Sequence, residues 1–269
     1  MKNSPLFARP TARAWAFTLI ELLAVITIIG ILAGMVLGAV VHASGKAKVA
    51  VAKQQMKNLL AAINQYEATY GRLPAPSLSG PYVENGVHDV TFGLGAAPLP
   101  SNLIPLGSDP WRTNTYGSND VIMTILMDLN YGANTNHQRN PQQRAFFEEK
   151  MVSDAQSPGI STIDYQYRDP WGSPYIITLD LNGDGKCDDA FYRQKRVSQN
   201  GNGGQTGLNG LFNSTDAGGD GDNFEYNGSA MIWSLGPDKL LANQNTPLPD
   251  SDAPWTIKLF NKDNVVGWQ

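Results

Sequence analysis

The longest apolar run in the chain extends from Phe17 to Val41, 25 positions with one ionisable residue, Glu21. As a helix it would rise about 37 Å, enough to cross the hydrocarbon core of a bilayer. After His42-Ala43-Ser44-Gly45 the pattern changes rather than stops. Lys46, Lys48, Lys53 and Lys57 appear, while Ala52, Met56, Leu59, Ile63, Tyr66 and Tyr70 recur at alternating four- and three-residue steps. That stripe is the mark of an amphipathic helix lying on a core. No proline interrupts residues 17 to 73, Gly71 supplies a C-terminal stop, and Pro74 opposes resumption. The pattern predicts one helix of roughly 53 residues, about 80 Å long, with a membrane-spanning half over 17–41 and an amphipathic half over 42–70. Gly30, Gly34 and Gly38 are spaced four apart, as in small-xxx-small helix contacts, although glycine is also common in membrane helices generally.

Beyond residue 71 the periodicity shortens. Ser118 to Asp128 predicts a short helix with Val121, Ile122, Ile125 and Leu126 on one side, and Gln142 to Val152 predicts another carrying Phe146 and Phe147. Tyr175 to Leu179 predicts a strand, Ala190 to Val197 its hairpin partner, and Ala230 to Leu235 a further strand. Residues 199 to 222 are rich in Gly and Asn and predict a mobile loop. The whole reads as α+β: a long N-terminal helix packed on a small antiparallel sheet, with long loops, in a globular domain over 71–269.

Composition sharpens this picture. About 200 of the 269 residues follow the helix, enough for one domain with its own core. Residues 1 to 70 hold seven Lys/Arg and two Asp/Glu, net +5, whereas the chain as a whole is −4. The remainder is therefore acidic, at −9, which argues against nucleic acid as a partner. A single cysteine, Cys187, forbids an internal disulfide.

Two features bear candidate chemistry. A lone carboxylate such as Glu21 is costly in lipid and calls for a partner. The stretch Asp180-Leu-Asn182-Gly-Asp184-Gly-Lys-Cys-Asp188 follows the spacing D-x-N-x-D-G-x-x-D. Alternating side-chain oxygens around a glycine turn suit calcium, which takes about 6 to 8 oxygen ligands. A full EF-hand loop needs glutamate at position twelve, where Phe191 stands, and Asn-Gly and Asp-Gly also favour plain hairpin turns. Both readings stay open. Catalytic patterns are absent: there is no His-Glu-x-x-His, Gly-x-Ser-x-Gly or phosphate-binding glycine loop, and the three histidines have no metal-type spacing. Carboxylates flanking Cys187 disfavour its thiolate. The tryptophans Trp171, Trp233, Trp255 and Trp268 read as core or subunit-contact residues, and the chain as a structural protein rather than an enzyme.

The segment Ala16-Phe17-Thr18-Leu19-Ile20-Glu21-Leu22-Leu23-Ala24-Val25-Ile26 resembles the cleavage and methylation signal of type IV pilin-like proteins. The resemblance implies that a prepilin peptidase cuts between Ala16 and Phe17 and N-methylates Phe17, with Glu21 as the fifth mature residue. The family usually has glycine before the cut; this chain has alanine, the smallest alternative. The leader 1–16 holds Lys2, Arg9 and Arg13 and no acid, as expected of a segment kept cytoplasmic. In the family the glutamate meets the terminal amine of a neighbouring subunit, an ion pair that would set axial register; snorkelling beside its own N-terminus is the alternative for a lone monomer. A secretory signal peptide is excluded by the length of the run, whereas a plain membrane anchor explains the hydrophobicity but not the placement of Glu21.

Downstream, Asp169-Pro170-Trp171-Gly172-Ser173-Pro174-Tyr175, Trp233-Ser234-Leu235-Gly236-Pro237-Asp238 and Asp263-Asn264-Val265-Val266-Gly267-Trp268 are similar to the major pseudopilin of type II secretion systems. That resemblance implies a C-terminal calcium loop, onto which Asp238 and Asp263 map. Residues 75–165 and the loop near 200 are much longer than the family core needs, and loops accept such length at modest entropic cost. Its implied partners are copies of itself, minor pseudopilins, an inner-membrane assembly platform, the prepilin peptidase and membrane lipid. Its implied location is the bacterial inner membrane, with the globular domain periplasmic, and then the pseudopilus. A surface type IV pilin, and an uncleaved membrane-tethered calcium- or carbohydrate-binding module, are the other readings.

Overall fold

The computed structural model describes residues 18–77, 89–93, 115–116, 118–200, 204–214, 221–240 and 263–268. Helix α1 runs unbroken from Leu19–Tyr70, 52 residues, so the two sequence patterns do belong to one helix. It ends where expected: Gly71 takes a left-handed φ of +65°, and its N–H donates to the Glu67 carbonyl at 2.7 Å. The chain divides into two units between Ala47 and Lys48.

In the first unit the helix has its apolar side chains exposed; Leu19, Ile26, Ile31 and Leu37 are each more than half exposed. By length and composition this helix can cross a membrane. Gly30, Gly34 and Gly38 lie on it with nothing within 4 Å of where a Cβ would stand.

The second unit is built on a five-stranded sheet in the order β11-β10-β6-β1-β2, formed by Val265–Val266, Ala230–Ser234, Ile176–Leu179, Val90–Phe92 and Thr115–Tyr116. All pairings are antiparallel except β1 with β2. Alternation along the strands sends side chains to two buried faces. Ile177, Leu179, Ala230, Ile232, Val90 and Phe92 share a core with the helical stripe Ala52, Met56, Leu59, Ile63 and Tyr66, each of which is at most 1% exposed. Ile176, Met231, Trp233 and Val266 point the other way into a second core with Cys187, Phe191, Tyr192, Leu211, Phe224 and Trp268. Trp233 and Trp268 are thus core residues; Trp171 is partly buried against the first core, and Trp255 lies outside the described residues.

That second core corrects the sequence reading of 199–222. Its described residues include β8 (Phe212–Asn213), which pairs with β9 (Phe224–Asn227), while β9 also pairs with β7 (Lys186–Cys187). Leu211 is 1% exposed, so this polar-looking segment delivers an apolar anchor onto the far face of the sheet.

Two further expectations are corrected. The helix expected over Gln142–Val152 is a turn and irregular chain ending in β3 (Met151–Val152), which joins β4 (Gly159–Ser161) and β5 (Tyr167–Arg168) in a small sheet. Asn140 captures both the N–H and the carbonyl of Arg144, and the N–H groups of Phe146 and Phe147 donate to the Leu126 carbonyl. Those groups are withdrawn from helical bonding. The strand expected over Ala190–Val197 is a turn followed by α3 (Lys195–Ser198), because the Asp189 carboxylate accepts the N–H groups of Phe191 and Tyr192. The helix expected over Ser118–Asp128 is present, trimmed to α2 (Asp120–Leu126).

Candidate functional site

The helix head supplies the first site. The first N–H groups of a helix have no intrahelical acceptor. Here Thr18 and Glu21 form a reciprocal capping box. Glu21 Oε2 accepts the Thr18 backbone N–H at 2.9 Å and its hydroxyl at 2.7 Å, and Thr18 Oγ1 accepts the Glu21 N–H at 3.3 Å. The pattern Thr-x-x-Glu was legible in the sequence, but the assembly reading of Glu21 obscured it. One oxygen takes both bonds; Oε1 has no hydrogen-bond partner among the described residues and is exposed. The cap thus orients the carboxylate while keeping one oxygen open to a cation or amine. Ala16 and Phe17 lie outside the described residues.

The loop after β6 supplies the second. Asp180 Oδ1 and Oδ2 accept the N–H groups of Gly183 and Gly185 at 2.7 and 2.9 Å. Asn182 Oδ1 accepts from Asp184, and Asp184 Oδ1 from Lys186, both at 2.9 Å. Gly183 and Gly185 have φ of +75° and +80°, which explains glycine at both. The fourth candidate, Asp188, is partly buried: its Oδ2 pairs with the Arg193 guanidinium at 3.2 Å, and its Oδ1 is buried with no partner. Its N–H donates at 2.6 Å to Oδ2 of Asp89, a residue the sequence reading passed over. Asp89 is 4% exposed, and its Oδ1 is likewise buried without a partner. Burial, reinforced by the charges of Asp180, Asp188 and Asp184, pushes the Asp89 carboxyl up to about 7. Burial also pushes Asp188 up to about 7, against the pull of Arg193. Cys187 is fully buried beside them, and burial, then the Asp89 and Asp189 charges, holds its thiol well above the usual range. With the carboxylates turned onto their own backbone, no three His, Cys, Asp or Glu side chains converge at metal-holding distance among the described residues.

The third is at the C-terminus. Asp238 and Asp263, 25 residues apart, are brought together: the Asp238 N–H donates to Asp263 Oδ2 at 3.2 Å. Pairing of β10 with β11 carries the chain back, Trp233 against Val266 and Ser234 against Val265. The approach is close enough that a Cβ on Gly236 (φ +73°) would sit 2.2 Å from the Asp263 carbonyl oxygen. Burial, and then the neighbouring Asp263 carboxylate, raises the Asp238 carboxyl above its ordinary value. Asp216, Asp220 and the stretch Asp109-Pro110-Trp111 lie outside the described residues.

Two buried aspartates that sequence reasoning did not single out serve structure. Asp189 accepts the two turn N–H groups, the Thr178 hydroxyl at 2.5 Å and Trp233 Nε1 at 3.0 Å. Asp169, the first residue of Asp-Pro-Trp-Gly, accepts the N–H groups of Trp171 and Ser173 and the Ser234 hydroxyl, tying that turn to β10. Asp169 carries a local signal, the turn chemistry of Asp before Pro, whereas Asp189, followed by Ala190, carries none.

Comparison with family models, curated proteins and solved structures finds no match to this chain.

Proposed function

We propose that this chain is a structural subunit of a type IV pilin-like filament, and specifically a pseudopilin of a type II secretion-like system. The observation that carries the reading is the helix head: a Thr18–Glu21 capping box opening a 52-residue helix whose first half is apolar and exposed and whose second half is the wall of a core. An exposed apolar half of that length demands lipid or neighbouring helices around it. The resemblance of residues 16–26 to a prepilin signal supplies both in sequence, first the inner membrane and then a filament of identical subunits.

In this reading the prepilin peptidase cuts after Ala16 and methylates the Phe17 amine. Glu21 of one subunit then receives the Phe17 amine of the next, with the cap holding the carboxylate in position. Subunits leave the membrane through an inner-membrane assembly platform, minor pseudopilins join at the filament end, and filament growth moves exported protein. No active site is required. The Asp238–Asp263 closure is where the reading places a calcium that stiffens the head, with Asp238 and Asp263 supplying carboxylate oxygens.

Expression with a complete assembly machinery, followed by shearing and electron microscopy, tests it. The wild type is expected to form filaments and Glu21→Ala none, at equal membrane levels. Filaments from Glu21→Ala, or none from the wild type, would contradict the reading. An uncleaved membrane-tethered module predicts the second result.

A further inference from the structure

The Asp180 loop lacks a ligand at its twelfth position because Phe191 is there, 3% exposed and stacked on Trp233 with ring centroids 5.5 Å apart. The fold brings a carboxylate to the loop from elsewhere. In the antiparallel pairing of β1 with β6, Val90 opposes Leu179, so the next residues outward, Asp89 and Asp180, lie opposite each other at the sheet's end. Asp89 also accepts the N–H of Asp188, the ninth loop position. It is therefore held between the first and ninth positions of the loop, although it is 91 residues from the first in sequence.

Facing carboxylates across a strand pair repel. A buried, unpartnered carboxylate oxygen is costly, and this site has two, on Asp89 and on Asp188. Around them stand Asp180, Asn182 and Asp184 on a loop whose two left-handed glycines have open space on their side-chain side. A hard divalent cation satisfies all of these demands together: it neutralises the charge, occupies the orphaned oxygens and takes its remaining ligands from the loop.

We propose that Asp89 is the off-loop ligand of a calcium site formed with Asp180, Asn182, Asp184 and Asp188, standing in for the missing twelfth-position carboxylate. On binding, the loop side chains exchange the N–H groups of Gly183, Asp184, Gly185 and Lys186 for the ion where the two compete. Asp188 keeps one oxygen on Arg193 and gives the other. The ion would join β1, the end of β6 and the turn leading to α3. The proposal does not depend on the filament reading and concerns a different place from the Asp238–Asp263 pair.

The test uses the full chain in detergent, in an Asp238→Asn/Asp263→Asn background that removes the C-terminal pair. Calorimetric titration with calcium chloride is expected to show one site, and added Asp89→Asn to weaken it at least tenfold. In EDTA at pH 8 the same Asp89→Asn is expected to raise the melting temperature, because it relieves carboxylate repulsion; a variant that simply misfolds would lower it. Hydrogen exchange needs no Asp89 variant: calcium is expected to slow exchange in the peptide containing Asp89 as well as in the Asp180 loop. No calcium binding in the background, unchanged affinity in Asp89→Asn, or protection confined to the loop would each overturn the proposal.

Discussion

Individual side chains here decide questions that the hydropathy pattern leaves open. Glu21 is a capping residue as well as an assembly candidate, and the two roles separate by mutation. Thr18→Ala removes the cap and should cost the first turn about 1 kcal/mol, seen as faster amide exchange over residues 19–22, while Glu21 keeps its charge. Asp189 gathers four donors in a site with no solvent exposure. Asp189→Ala strands the Trp233 indole N–H and two backbone amides, and chemical denaturation should show a loss of about 3 kcal/mol or more. Asp89 has the opposite character. Its folded carboxyl is raised from 3.8 to about 7, so the folded chain holds that proton more tightly than the unfolded chain does. The stability this contributes is fully present below about pH 4 and is lost as pH rises through about 7. Asp154 and Asp164, whose carboxyls are lowered, act in the other direction. The informative quantity is therefore the difference between wild type and Asp89→Asn. Melts in EDTA should show that difference moving against the wild type from pH 4 to pH 8, by on the order of a few kcal/mol.

At the scale of elements, the two halves of α1 should respond differently to the same substitution. Leu59→Ala removes a fully buried side chain from the core and should destabilise the globular unit by about 2–5 kcal/mol. Leu32→Ala, on the exposed half, should leave that unit's denaturation midpoint unchanged while weakening membrane retention or assembly. What could be read from the sequence follows the length of each element. The helix declared itself through 25 apolar positions and then a five-step stripe, and β6 and β10 through β-branched and aromatic runs with turn residues before them. Strands of two or three residues such as β7, β8 and β11 carry too few positions to show a period. The false helix over Gln142–Val152 had suitable spacing, but Asn140 and Leu126 claim its backbone, and no local pattern reveals that. Asp238 and Asp263 were paired only through resemblance, and Asp89 was missed because its importance comes from strand register across 91 residues.

For the whole molecule, the sheet with two buried faces explains how a chain without a disulfide builds a stable head: one face is covered by the helix and the other by the 186–224 region. The described part of the segment around 200 thus contributes to the core through Leu211. Truncating it would expose Trp233, Met231 and Ile176 together and should produce aggregation rather than a smaller folded head.

The central claim is that the helix is made for processing and assembly, not for anchoring alone. Intact-mass and N-terminal analysis of protein from native membranes tests this most directly. A mature chain beginning at N-methylated Phe17, lacking residues 1–16, is the expected result. A chain still beginning at Met1, in cells that process other prepilins, would contradict it and favour the tethered module.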